Sequence, residues 1–290
     1  MLPDPTLLAV LLALACSALW ALANVYVQRA GIALGSLRAL LYSQGLGCLL
    51  LLPPALWFDG PPSMPSLPDL AITAAGSALG YYAMVVAFAR GSLSGVVPMI
   101  TAWAVPAAVA GVLWSGEWPS ARQAVGGVMI VVGAVGNGML APTLGSGEGD
   151  RRAARGALVW AAASALGFGV MVAGTARLRP ALGDIGVVPG VWMAQWVLLL
   201  PFLLRKEVRA LPPRSAHGAL LGMALFESLG FVAFTLATRL APVAVVSPPS
   251  SLSSLLTVVY ASVALRESLS AGRWALVALA AAGTVLVASG

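Results

Sequence analysis

The sequence predicts an all-α membrane protein with ten transmembrane helices arranged as two inverted five-helix repeats. Three observations predict it: composition, the spacing of the charges, and an internal repeat. Only 9% of the 290 residues are charged, 60% are hydrophobic, and the mean hydropathy is +0.94. A soluble domain carries about 25% charged residues. A water-soluble fold of this size has too little polar chain to coat so much apolar surface, which excludes a soluble enzyme, a secreted disulfide scaffold and a disordered chain.

The charges mark the spans one after another. The uninterrupted stretches are 5–28, 39–58, 70–89, 91–116, 123–147, 156–176, 185–204, 215–238, 240–265 and 274–290. Each reaches the length of about 20 apolar residues that a bilayer-crossing helix needs. Only 215–238 contains a charge, Glu227. Ten such helices leave short loops and no room for a soluble domain. The first stretch has Ala21-Leu22-Ala23, a weak cleavage-site pattern, but nothing basic precedes it. Residues 6–28 therefore read as a retained helix rather than a signal peptide. Cys16 and Cys48 fall inside stretches and read as packing residues.

The most polar segment, residues 145–155, divides the stretches five and five. The expected organisation is a first repeat over 1–144, a polar linker over 145–155, and a second repeat over 156–290. A shift of 150 residues carries Leu79-Gly80 onto Leu229-Gly230, Pro98 onto Pro248, Glu117 onto Glu267, and Gly133 onto Gly283. Near the start the shift is 147, taking Ser17-Ala18-Leu19 to Ser164-Ala165-Leu166. An odd number of helices per repeat makes the second half enter from the opposite side of the bilayer. The halves are then related by an axis in the membrane plane, a design of secondary transporters whose substrate sits between the halves. The pairs Gly76/Gly80, Gly186/Gly190 and Gly218/Gly222 have the spacing that lets helix backbones approach closely.

The second half runs Phe226-Glu-Ser-Leu-Gly-Phe-Val-Ala-Phe-Thr-Leu-Ala-Thr-Arg239, then Ala241-Pro-Val-Ala-Val-Val-Ser-Pro248, then Leu265-Arg-Glu-Ser-Leu-Ser270, and closes on Ala282-Gly-Thr-Val-Leu-Val287. The first half has a blurred copy in Phe88-Ala-Arg90, Pro98 and Gly116-Glu-Trp-Pro-Ser120. This resembles the EamA-type repeat of the drug/metabolite transporter superfamily, and the resemblance covers nearly the whole chain. It implies ten helices, no enzymatic activity, and export of small metabolites such as amino acids across a bacterial-type inner membrane. Trp20 matches a common position of that family.

Glu227 is the sharpest site candidate. A carboxyl at bilayer depth costs about 2.5–3.5 kcal/mol on insertion scales, so such a residue faces a cavity or a partner. It fits a proton carrier, an anchor for an amine, or a gate. In the ninth stretch, Ser247, Ser250, Ser254 and Thr257 share one helical face, and Pro248-Pro249 breaks the hydrogen-bond ladder beside them. Carbonyls freed at membrane depth must line protein or water. Pro98, with Pro106, makes the fourth stretch its broken counterpart, near Thr101 and Trp103. Pro98, Pro248 and Pro249 are hinge candidates. Tyr81, Tyr82, Trp103, Trp192 and Trp196 lie mid-span, where an interfacial aromatic belt does not reach. Asn24 and Gln44 are buried amides, either packing glue or ligand contacts. The expected substrate-binding set is Trp20, Asn24, Tyr81, Tyr82, Thr101, Trp103, Glu227, Ser247, Ser250 and Ser254, with Glu227 also the coupling residue. Glu117 and Glu267 read as carboxylates at helix N-termini. His217 is isolated, and no metal, cofactor or phosphate-loop motif is present.

Loops after odd-numbered stretches hold Arg29, Arg38, Arg90, Arg151, Arg152, Arg155, Arg205, Lys206, Arg209, Arg214, Arg266 and Arg273, and even-numbered loops hold Arg122, Arg177, Arg179 and Arg239. The positive-inside rule puts the odd loops in the cytoplasm and both termini outside. Many ten-helix members of the resembled family have both termini inside. Because the bases are parcelled among loops, the net charge of +6 reads as a topology signal and not as a nucleic-acid surface. The expected partners are a small-molecule substrate and the lipid bilayer. Two other functions stay open: a divalent-cation carrier or channel of magnesium type, and a non-transporting scaffold.

Overall fold

The computed structural model describes residues 5–115, 120–140, 148–203, 206–241, 246, 249–250, 252–264, 266 and 269–288. All regular structure among them is helical: α1 Pro5–Leu34, α2 Ser36–Phe58, α3 Leu67–Arg90, α4 Leu93–Thr101, α5 Ala104–Ser115, α6 Ala121–Met139, α7 Glu148–Leu182, α8 Val187–Leu203, α9 Lys206–Arg209, α10 Arg214–Leu240, α11 Ser253–Ala264 and α12 Ala271–Ala288. Six segments, among them the joint span Leu93–Trp114, are long and apolar enough to cross a membrane, and shorter apolar helices occupy Val187–Phe202, Ser253–Ala264 and Ala271–Val287. The chain is an all-α, multi-pass membrane protein.

Charges do not end the helices as sequence spacing alone implies. A backbone ladder continues into water at no loss, so α1 runs past Arg29 and α7 starts at Glu148, inside the segment read as a linker. Backbone geometry ends them instead. Gly35, between α1 and α2, and Gly183, after α7, have φ of 77° and 83°, which only glycine adopts freely. At the start of α6, Ser120 accepts from the Gln123 N–H at 3.2 Å while Gln123 Oε1 accepts from the Ser120 N–H at 2.7 Å, a reciprocal cap. The fourth stretch is two helices, α4 and α5. Pro106 cannot donate to the Ala102 carbonyl, and the backbone between them tightens to three-residue spacing, with Ala102 N–H on Met99 O and Trp103 N–H on Ile100 O. Thr101 Oγ1 turns back onto the carbonyls of Val97 and Pro98 at 3.0 and 3.1 Å. Pro98 itself lies inside α4.

The most extensive helix pairs are α3 with α7, α1 with α10, and α6 with α12. Exchanging the repeats turns the first pair into the second and the third into itself, which is how two inverted halves pack around one axis. The α6–α12 contact keeps that symmetry residue by residue. A methyl on Gly126 would stand 2.7 Å from Gly283 O, and one on Gly133 would stand 2.5 Å from Leu276 O. The 150-residue shift converts Gly126 to Leu276 and Gly133 to Gly283. Only glycine permits backbones this close, where no hydrophobic effect drives helices together in lipid. Likewise Gly80 packs on Phe168 of α7, and its repeat mate Gly230 packs on Trp20 of α1.

Candidate functional site

A cavity of about 420 Å³ lies between the halves. Its walls come from α1, α3, α4, α5, α7, α8, α10 and α12, with Ser250 and Ser253 from the broken ninth span. Arg179 and Asp184 line its mouth, so it opens at the face carrying the even-numbered loops. Its inner end is a train of aromatic rings. Phe168 meets Tyr81 edge-on at 4.9 Å, Tyr81 meets Trp192 at 6.0 Å, Trp192 meets Phe231 at 6.1 Å, Phe231 meets Trp20 at 5.4 Å, and Trp20 stacks with Phe234 at 6.0 Å.

Of the residues singled out from sequence, Trp20, Tyr81, Thr101, Trp103 and Ser250 line this cavity. Glu227 does not. It is buried on α10, behind the aromatic end, with its carboxyl in side-chain hydrogen-bonding contact with Tyr81. Asn24 donates to Thr257 Oγ1 at 3.0 Å, tying α1 to α11. Ser254 is buried outside the lining. Tyr82 is 37% exposed on the outer surface, against Trp160. Ser17 Oγ takes up the carbonyls of Pro249 and Ser250, the latter at 2.7 Å, so the break in the ninth span is satisfied by α1. Ser247, Pro248, Glu117 and Glu267 lie outside the described residues.

The mouth is framed by ions. Asp59, just after α2, accepts the N–H groups of Ile185 and Gly186 at 2.7 and 2.9 Å and pairs with Arg239. Arg239 also approaches Asp184 at 3.5 Å, and Arg177 pairs with Asp69 at 3.1 Å.

Among the described residues, buried side chains close the opposite face, which carries the odd-numbered loops. Arg273 reads from sequence as a loop charge, leaving no base inside a span. The structure corrects this: it lies in the first turn of α12 and is 2% exposed. Its Nε donates to Asn137 Oδ1 at 3.2 Å and its Nη2 to Ser94 Oγ at 2.9 Å, while Asn137 Nδ2 donates to Ser94 O at 2.7 Å. One guanidinium thus joins α4, α6 and α12. Its fork of donors satisfies itself on neutral acceptors, so burial is tolerated. Gln28 adds a second closure, donating to Phe88 O and Gly91 O at 3.0 and 3.3 Å across α1 and α3.

Sequence reasoning missed Phe231, Phe234, Thr175, Arg179 and Asp184 as cavity residues. Phe231 and Phe234 had one signal available, their position one and two turns beyond Glu227. The two loop charges had none.

The sequence profile of the EamA-like transporter family matches residues 7–139 and again 155–289. Among ten matching chains of solved structures, a crystal structure superposes with a TM-score of 0.64 at 16% identity, over 96% of this chain and 95% of its own. At that identity the likeness shows the fold. A search of curated proteins finds no match.

Proposed function

The chain belongs to the EamA-like transporter family, and from that premise we propose a secondary transporter that exports a small metabolite, with amino acids the leading class, across a bacterial-type inner membrane by alternating access. The observation that carries this reading is the one-sided cavity between the two repeats. Its volume of about 420 Å³ falls in the range typical of small-molecule sites. Trp20, Trp103, Trp192 and Phe234 suit an apolar body, and Thr101, Ser250 and Thr175 offer hydroxyls. Arg179 and Asp184 at the mouth match the carboxylate and the ammonium of a zwitterion.

Among the described residues Asp184 is the lone carboxylate in the lining. A hard divalent cation wants about six oxygen ligands, so the lining favours an organic substrate over the cation alternative. A scaffold needs no such cavity. The excess of basic residues in the odd-numbered loops supports a cytoplasmic sealed face and a cavity that opens outward, the state in which an exporter discharges. Glu227 is the proposed coupling residue, reached from the cavity through the Tyr81 hydroxyl.

The test is flux into and out of proteoliposomes across a panel of amino acids, amines and divalent cations. Flux of amino acids or amines supports the reading, whereas flux of cations alone overturns it. Glu227→Gln keeps shape and hydrogen bonding but cannot exchange a proton. It should lower transport by roughly 10²-fold, the lower range for a lost proton-transfer group, and flatten the pH dependence of flux while the protein still inserts. Full activity of Glu227→Gln from pH 5 to 8 removes it as the coupling residue.

A further inference from the structure

Neither the cavity nor the seal uses Gln44 and Gln195, although both are buried polar side chains at membrane depth, 1% and 0% exposed. Each stands nine residues after the glycine that precedes its helix, Gly35 before α2 and Gly186 before α8. They therefore stand at corresponding points of α2 and α8, 151 residues apart, one residue from the 150-residue shift. They also touch. Gln195 Nε2 donates to Gln44 Oε1 at 2.6 Å, and the return bond from Gln44 Nε2 to Gln195 Oε1 is stretched to 3.5 Å. Equivalent residues of an inverted repeat meet only on the pseudo-two-fold axis, where two halves rocking against each other move least.

A symmetric pair on such an axis would make two equal bonds. The inequality follows from what each half presents. On one side, Ser77 of α3 donates to Gln195 Oε1 at 2.6 Å. The 150-residue shift carries Ser77 onto Glu227 of α10, followed by Ser228. Ser228 Oγ is buried and has no hydrogen-bond partner among the described residues. It lies against α2, 3.3 Å from where a methyl on Gly47 would sit, one turn beyond Gln44. A buried hydroxyl left unpartnered is costly, and here it faces α2 one turn from the amide whose counterpart is already served by the other half's serine.

We propose that Gln44 and Gln195 are positioning residues for transport, an on-axis amide clasp that exchanges donor and acceptor between the two access states. With the cavity open to the even-loop face, the order is Ser77 to Gln195 to Gln44. With it open to the odd-loop face, Ser228 donates to Gln44 Oε1, Gln44 Nε2 donates to Gln195 Oε1, and Ser77 is released. The clasp is never broken across the axis, and each state carries one serine bond that the other lacks. The proposal rests on the alternating-access reading.

The experiment uses the full chain in proteoliposomes without added substrate, with Cys16 and Cys48 replaced by Ala and a single reporter cysteine at Met84. Met84 is buried and is the repeat mate of the cavity-lining Phe234, so it becomes reachable when the odd-loop face opens. A membrane-impermeant maleimide on that face reads the odd-open population. Ser77→Ala removes a bond made only in the even-open state and should raise the labelling rate roughly 2- to 10-fold, the weight of one net hydrogen bond. Ser228→Ala should lower it by a similar factor. Opposite signs support the clasp, since serines with a merely structural role would shift thermal stability and leave the ratio alone. Labelling that ignores both substitutions, or moves the same way with both, overturns the clasp and leaves alternating access standing. No labelling of the reporter in the parent protein overturns both.

Discussion

At the odd-loop face, Arg273, Asn137 and Ser94 draw three helices together. The same repeat positions, 150 residues away, are Gln123, Val287 and Ala244, of which Ala244 lies outside the described residues. Gln123 is spent on the cap of α6, and Val287 lines the open cavity. The second closure differs the same way. Gln28 bridges α1 and α3, whereas its mate Thr175, 147 residues on, is too short to bridge and lines the cavity. The even-loop face is held instead by Asp59 with Arg239, a pair whose carboxylate is 3% exposed and whose arginine side chain is 34% exposed. The backbone of the repeat supplies two equivalent gates, and side chains close one of them more strongly. A network whose guanidinium is itself buried is worth more than a pair whose arginine stands partly in water.

The comparison breaks most severely at Arg273. Arg273→Leu removes two hydrogen bonds from a buried cation, each worth about 1.5–3 kcal/mol. Labelling of the Met84 reporter from the odd-loop face should rise by roughly tenfold or more, and an unchanged rate would show that the seal lies elsewhere. Gly133→Leu tests what both faces share. It forces a side chain into the Leu276 backbone at the α6–α12 contact and should destabilise by about 1–3 kcal/mol or more, read as a lowered Tm or loss of the monodisperse peak. Asp59→Asn should do least. It keeps an acceptor for Ile185 and Gly186 and removes one charge-assisted bond between a buried carboxylate and a third-exposed arginine, so stability should fall by about 1.5 kcal/mol and no more. A large loss would mean that the even-loop face is locked as firmly as the other. A reporter fused after Gly290 fixes which face is which: a periplasmic signal agrees with the charge bias, and a cytoplasmic one reverses the direction of the proposed export.

The sequence by itself determined what depends on partition between water and lipid. Length, scarce charge and the 150-residue repeat carried the membrane class and the two halves, because the free energy of burying a stretch in a bilayer is nearly a sum over its own residues. Glu227 was legible for the same reason, as a charge where none belongs. Pro106 marked the break between α4 and α5, since a missing N–H is a local fact, whereas Pro98 is accommodated inside α4. What only the tertiary structure decided is which way each residue faces. Lipid is as apolar as a helix interface, so no amphipathic stripe distinguishes inside from outside. Tyr81 and Tyr82 are neighbours in sequence, yet one lines the cavity and the other meets the outer surface. Arg273 looked like a loop charge and became the seal because packing brings Ser94 of α4 and Asn137 of α6 against it. Gln44 read from sequence as an isolated amide, and only the packing of α2 on α8 set Gln195 against it. These outcomes follow from the rotation and crossing of helices, which close glycine contacts at Gly126, Gly133 and Gly283 fix and no single span encodes.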